Sequence, residues 1–345
     1  MSSSTLRVVA AIIAFAVVAI GGIALLDFAG AGAVGAWAYV TLAALGIALV
    51  VYAAIEYAQT RRLDSITRQF DTRTLVLMPI AIALNIILGQ AVGAALKIPI
   101  YLDSIGTILV GALAGPIPGA LTGLLANLLW TGVLPPPLHS DIAAAFAVVG
   151  AVIGLLAGVF GRLGWLRPRP TQDTTRLALG ALAAVAVIVV LGWLAFVGWQ
   201  AIGSEISFIP SGDLWAVVLA SLALVLVLGT IIGLAAMLFV RRDLTAAYVV
   251  VAGVATGIIA AIISAPISAN LFGGVTGAGT DFLVAAFRQA GADIQSATLG
   301  QGLISDPIDK VITFAVVYVI LGAMAVRTKA RFPQGERLVN VEPTS

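Results

Sequence analysis

The chain has 345 residues, 61% of them hydrophobic and 10% charged, with a mean hydropathy of +1.12. Soluble domains lie nearer ~45–50% apolar and ~25% charged, so this composition excludes a soluble globular protein and predicts an all-α polytopic membrane protein. Net charge is only +2, and with no cysteine and a single histidine, His139, the chain has no disulfide and no thiolate or histidine-cluster metal site, so neither metal nor cofactor is expected.

A spanning helix needs ~20 apolar residues. The first, Val8–Phe28, reads as a retained helix, although Ala29-Gly30-Ala31 resembles a signal-peptide cleavage site. Val34–Ala58 completes an N-terminal helix pair within 1–60, and the basic stretch 61–74 reads as a cytoplasmic linker. The third span, Leu75–Leu96, ends at Lys97 and is broken by Pro99. Tyr101–Ala114 would cover only about 21 Å as a helix, so it is either a tucked short helix or a re-entrant element. Such elements persist only where protein or a cavity satisfies their backbone.

Pro116 and Pro118 suit the first turn of the next helix, which runs to about Leu134. Pro135-Pro136-Pro137 makes a rigid turn, Ser140 or Asp141 suits an N-cap, and Ile142–Phe160 ends the block 75–161. After a cytoplasmic loop at 162–176 come Leu177–Trp199 and Leu214–Val240, an inserted pair (177–240) read, like the first pair, as lipid-facing. The block 241–326 holds Tyr248–Ala265, an external loop at 266–303 with a possible amphipathic helix at Asp281–Ile294, and a last span from Ile304 to Val326. The remainder, 327–345, reads as a polar cytoplasmic tail without fixed structure.

About ten membrane elements put both termini on the cytoplasmic side of the inner (plasma) membrane, and fifteen of the eighteen Lys and Arg then fall in cytoplasmic segments. The exceptions, Lys97, Arg288 and Lys310, lie beside a cluster of polar residues on the outer side.

Two rows of residues spaced by four organise that cluster: Ala81, Asn85, Gly89, Gly93, Lys97 and Gly115, Gly119, Gly123, Asn127, Thr131. Positions four apart share a helix face, so each row starts small and ends polar. Small residues let helix backbones approach closely in hydrocarbon, whereas polar ones need a partner or a cavity. The pattern predicts a membrane-embedded binding site built from Asn85, Lys97, Tyr101, Asp103, Thr107, Asn127, Trp130, Asn270, Asp281, Asp306 and Lys310. Several have plainer readings. Lys97 suits a snorkelling lysine, Asp306 and Lys310 an ion pair within one helix, and Asn127 a bond between helices. Trp130 suits an interfacial belt, and Asn270 and Asp281 ordinary loop polarity. Phe314 and Tyr318 continue the Asp306 side and either stack on a ligand or pack.

Neither an HExxH motif nor a Walker-type glycine loop is present, and the sequence at 277–281 lacks the spacing of an intramembrane aspartyl protease. The chain is therefore expected not to be an enzyme, and any ATP use belongs to another subunit. Nucleic acid is not an expected partner. The amide, aromatic, lysine and carboxylate groups suit a planar polar heterocycle such as a vitamin, nucleobase or nucleoside.

The segments IPIYLDSIGTILVGALAGPIPGALTGLLANLLW, LFGGVTGAGTD and DPIDKVITFAVVYVIL resemble the substrate-binding S components of energy-coupling factor (ECF) transporters, over about 75–161 and 245–326. The resemblance implies a six-helix core that binds a vitamin or similar small molecule from outside. It implies release inward through a transmembrane coupling subunit and two ATPase subunits. It also implies that Lys97–Asp103 and Asn270–Asp281 cap a pocket lined by the helices of Asn127, Trp130 and Lys310. Two departures stand out. The Ala-x-x-x-Ala step often seen on the first core helix runs here from Ala81 to Asn85, and two helix pairs are additional. A self-sufficient ion-coupled carrier, with Asp306, Asp309 and Lys310 as coupling charges, and a membrane sensor module are the alternatives.

Overall fold

The computed structural model describes residues 3–25, 33–90, 100–136, 138–182, 184–185 and 229–339. Among these the protein is helical with no strand, an all-α membrane protein. By length and composition, three described helices can cross a membrane: Ala36–Thr60, Ala143–Arg162 and Thr245–Phe272. Lys97 and most of the expected helix pair at 177–240 lie outside the described residues.

The N-terminal pair is α1 (Ser3–Leu25) and α2 (Ala33–Thr60), packed on each other. Ile12, Ile13, Val17 and Ile20 on α1 are more than half exposed, a surface that suits lipid and not water. Arg7 is buried against Glu56 at 3.3 Å and donates to Gln59 at 2.7 Å, which ties the start of α1 to the end of α2.

Six further elements alternate in direction. After the single-turn α3 (Asp64–Thr67), α4 (Thr72–Leu88) begins under an Asp71 N-cap that accepts from Thr74 N–H at 2.8 Å. The short α5 (Ile105–Ala114) runs back, and every one of its residues is buried. Gly115, at φ 131°, turns the chain straight into α6 (Pro116–Gly132), with proline at the first position where no amide donor is needed. A 3₁₀ turn (Ala143–Phe146) leads into α7 (Ala147–Arg162). Then α8 (Thr245–Phe272) rises and α10 (Ile294–Ala323) returns, with the surface helix α9 (Asp281–Gln289) between them.

Glycine rows set the contacts. A Cβ on Gly154 would come within 2.1 Å of the Gly119 carbonyl, one on Gly123 within 2.1 Å of the Gly150 carbonyl, and one on Gly158 within 2.3 Å of Pro116 N. The row Gly115-Gly119-Gly123 thus interlocks backbone to backbone with Gly150-Gly154-Gly158. Gly253 and Gly257 do the same for α8, against Val311 and Pro307 of α10. Without a hydrophobic drive between helices in lipid, such contacts rest on dispersion at close range.

Two expectations need correction. The segment 266–303 is mostly helix: α8 runs through Pro266 to Phe272, and α10 starts at Ile294, capped by Asp293, leaving the loop 273–280 and α9 between them. Burial of Ile267 and Ala269 on one side and of Ala297 and Thr298 on the other holds these extensions despite the proline and the polar sequence. The tail does not hang free as far as residue 339. Helix α11 (Val326–Ala330) and a 3₁₀ turn (Gly335–Leu338) fold against the bundle, with Leu338 buried, Gln334 N–H donating to the Leu113 carbonyl at 2.8 Å and Arg337 to the Arg162 carbonyl at 2.8 Å.

Basic segments meet at this end. Arg73 donates to the Arg331 carbonyl, Arg242 to the Gln172 carbonyl, and Asp243 receives Arg169 N–H at 2.8 Å and Tyr318 O–H at 2.7 Å. Burial alone would raise the Asp243 carboxyl, but its bonds from Thr245, Tyr318 and Arg169 outweigh that and hold it below the ordinary carboxylate range.

The glycine interlock gives a direct test. Gly154→Val forces apart α6 and α7, and overpacking of this kind costs ~1–3 kcal/mol or more. The purified protein in detergent is expected to lose several degrees of thermal stability, whereas Gly322→Val, which meets nothing within 4 Å, leaves it unchanged.

Candidate functional site

The end of the bundle opposite the basic segments holds a cavity of about 320 Å³. Its walls come from the end of α4, the start of α5, the end of α6, the 3₁₀ turn and α7, the second half of α8, the loop 273–280 and the first half of α10. It lies over the start of α5, with Tyr101, Asp103, Ser104 and Thr107 contributing to the wall. At ten residues α5 is about 15 Å long, half of a ~30 Å hydrocarbon core. The cavity occupies the side on which a full-length helix would have continued.

Asp309 fixes this arrangement. Its side chain is fully buried, and one oxygen accepts from the N–H groups of Tyr101 and Leu102, each at 2.9 Å. Leu102 adopts φ 51°, so the two consecutive amides converge on one carboxylate oxygen. The other oxygen pairs with Lys310, whose ammonium also donates to Ser104 at 2.9 Å and lies 3.6 Å from Asp103. A buried charge persists when paired and bonded in this way. The ion pair therefore joins neighbouring residues and reaches across to the 100–104 segment, in place of an Asp306–Lys310 pair along the helix.

Asp306, one turn earlier, is buried and faces the cavity. It accepts from Ser305 at 3.1 Å and from Ser264 of α8 at 3.5 Å. A chain of polar contacts leads from it to the loop: Gln301 donates to Ser305 at 2.7 Å and to Tyr101 at 3.4 Å, and the Tyr101 hydroxyl meets Thr280 at 2.6 Å. Trp130 sits over Gly89, where a Cβ would come within 2.5 Å of its ring. Its indole N–H is buried and has no hydrogen-bond partner among the described residues. Asn127 donates to the Gly123 carbonyl of its own helix at 3.0 Å and covers Gly150, and among the described residues its amide makes no bond to another helix.

Seven of the expected site residues thus line one cavity: Tyr101, Asp103, Thr107, Asn127, Trp130, Asp306 and Lys310. Three others stand apart from it. Asn85 is buried behind the wall, donating to Thr107 and accepting from Gly106 N–H, both at 2.7 Å, so it satisfies an open amide at the start of α5. Asn270 is exposed and accepts from Gln295 at 2.7 Å, bridging α8 and α10. Asp281 accepts from Thr276 and Gly277 and shapes the loop whose Thr276, Gly277 and Ala278 reach the cavity. Phe314 and Tyr318 pack away from it, Phe314 against Phe160 and Tyr318 on Asp243. Among the described residues no group of three or more His, Cys, Asp or Glu could hold a metal ion.

Sequence reasoning missed Ser104, Phe146, Ser264, Gln301 and Asp141 in the wall. Gln301 was legible only by extending the last helix backwards, where it falls four residues before Ser305 on the same face.

No protein-family model, characterised protein or solved structure matches the chain.

The buried pair yields a second prediction. Lys310→Met leaves the buried Asp309 without its counter-charge, and Asp309→Leu leaves Lys310 only Asp103 at 3.6 Å, so each alone is expected to lose ~3–5 kcal/mol. The double variant is expected to lose clearly less than the sum of the two, read as the folded fraction on denaturing-detergent titration.

Proposed function

We propose that this chain is the membrane-embedded substrate-binding subunit of an ATP-driven, ECF-type uptake transporter for a vitamin or similar small polar heterocycle. The observation that carries the reading is the cavity itself: about 320 Å³, closed at the basic end by a fully buried α5 and lined by aromatic, amide, hydroxyl and charged side chains. Small-molecule sites are typically ~300–1,000 Å³ with few placed polar groups on a largely apolar wall, and this one fits that description.

In this reading the cavity end faces outward and the basic end, with both termini, faces the cytoplasm of the inner membrane. The full chain makes about ten crossings, counting α5 as one and adding the pair in 177–240. Partners are a transmembrane coupling subunit and two ATPase subunits, which dock where α3, the loop 162–176 and the tail gather. The protein binds and releases and performs no bond chemistry. Carriage driven by an ion gradient asks Asp306, Asp309 and Lys310 to exchange partners during transport. Asp309 instead anchors two backbone amides of the 100–104 segment, which favours the binding-subunit reading.

Reconstitution tests it. Proteoliposomes holding this chain with its coupling and ATPase subunits are expected to accumulate labelled substrate only with internal ATP, while the chain alone binds substrate and accumulates none under an ion gradient. Accumulation by the chain alone would overturn the proposal in favour of the ion-coupled carrier.

A further inference from the structure

The charges around the cavity do not balance among the described residues. Among the described residues its wall carries the carboxylates of Asp103, Asp141 and Asp306 against one ammonium, that of Lys310. Lys310 is already committed to Asp309, Ser104 and Asp103, and Asp141 has His139 at 2.8 Å. Asp306 differs from both other wall carboxylates. It is 7% exposed, it faces the cavity, and its oxygens receive only the hydroxyls of Ser305 and Ser264, with no basic nitrogen of the described residues at ion-pair distance. Lys310, four residues on, acts on Asp306 only from beyond ion-pair distance; a carboxylate taken out of water without a direct partner is unfavourable, and a cation entering the cavity supplies one.

A second set of groups points to what else the ligand carries. Tyr101, Trp130 and Phe146 line the same space, and aromatic faces accept both flat rings and cations. The Trp130 indole N–H, buried and unpartnered among the described residues, offers a donor to an acceptor atom. A bare metal ion would leave a space of about 320 Å³ almost empty.

From these observations we infer that the cavity selects a positively charged organic molecule. It is a flat ring bearing an amidinium, ammonium or quaternised ring nitrogen, with the cationic group against Asp306 and the ring against the aromatic side chains. The inference rests on the binding-site reading above and adds the sign of the ligand's charge and the residue that reads it.

Two matched trios test it on the full chain, so that residues 91–99 contribute whatever charge they bring. One trio is benzamidine, benzamide and benzoate; the other is 1-methylnicotinamide, nicotinamide and nicotinate. Within each, size and shape are nearly constant while charge runs from positive through neutral to negative. Calorimetry and thermal shift on the purified protein at millimolar probe are expected to rank the cation at least about tenfold tighter than its neutral partner, with the anion weakest. Asp306→Asn is expected to bring the affinities of cation and neutral probe together, and a thermal melting transition matched to that of the parent protein shows that the variant is folded. Equal binding across a trio, or preference for the anion, overturns the charge assignment and leaves the binding site standing. A cation preference that survives Asp306→Asn overturns the role of Asp306. If none of the six probes binds, the binding-site reading and the inference both fall.

Discussion

A helix only about half as long as the hydrocarbon core is thick, buried on every side, is the constraint on which this structure depends. With ten residues, α5 fills about half of the hydrocarbon thickness. Its backbone ends must be satisfied by protein because no lipid can do so. At its start, Ser104 O accepts Ile108 N–H, and Asn85 accepts the amide of Gly106. In its last turn the Leu113 carbonyl accepts from Gln334 N–H, and just past its end Gln69 accepts the amide of Ile117. The helices around α5 continue past it, and the volume they enclose is the cavity.

That arrangement needs two kinds of contact that pull in opposite directions. The helices must lie close enough for backbone to touch backbone, which the interlocked glycines of α6 and α7 and of α8 and α10 allow. They must also stay apart at the cavity end. There the glycine rows give way to Asn127 on α6 and to Phe146, at the turn into α7, while Ser264 and Asp306 take their place on α8 and α10. Asp309 then holds the 100–104 segment at the cavity rim through two amides, and Lys310 balances its charge. Among the described carboxylates of the wall, Asp306 is the one with no basic nitrogen at ion-pair distance.

Much of this was legible in the sequence because lipid imposes strict rules. Composition alone required helices, and four-residue glycine spacing marked which faces meet. The shortness of Tyr101–Ala114, read from Pro99 and Pro116, pointed to an element sheltered by protein. What stayed hidden was the partner of each polar group. Asn85 and Asn127 look alike in sequence, each ending or interrupting a small-residue row, yet one closes the backbone behind the wall and the other lines the cavity. Lys310 sits four residues from Asp306 and next to Asp309, and helix geometry favours the first spacing. The pull of the Tyr101 and Leu102 amides on Asp309, some two hundred residues away, decided for the second. The polar sequence at 294–303 was read as loop because apolar periodicity fails there, since part of that helix faces the polar cavity rather than lipid or core.

The absence of cysteine from the sequence makes the central claim, a chamber over α5 open to solvent on one side, directly measurable. Single cysteines at Ser264, in the cavity wall, and at Leu113, at the closed end of α5, can be challenged in intact cells with a small membrane-impermeant thiol reagent. The account predicts rapid modification of Ser264→Cys from the outside and none of Leu113→Cys. An unreactive Ser264→Cys in a folded protein, or one that reacts only from the cytoplasmic side, would contradict it.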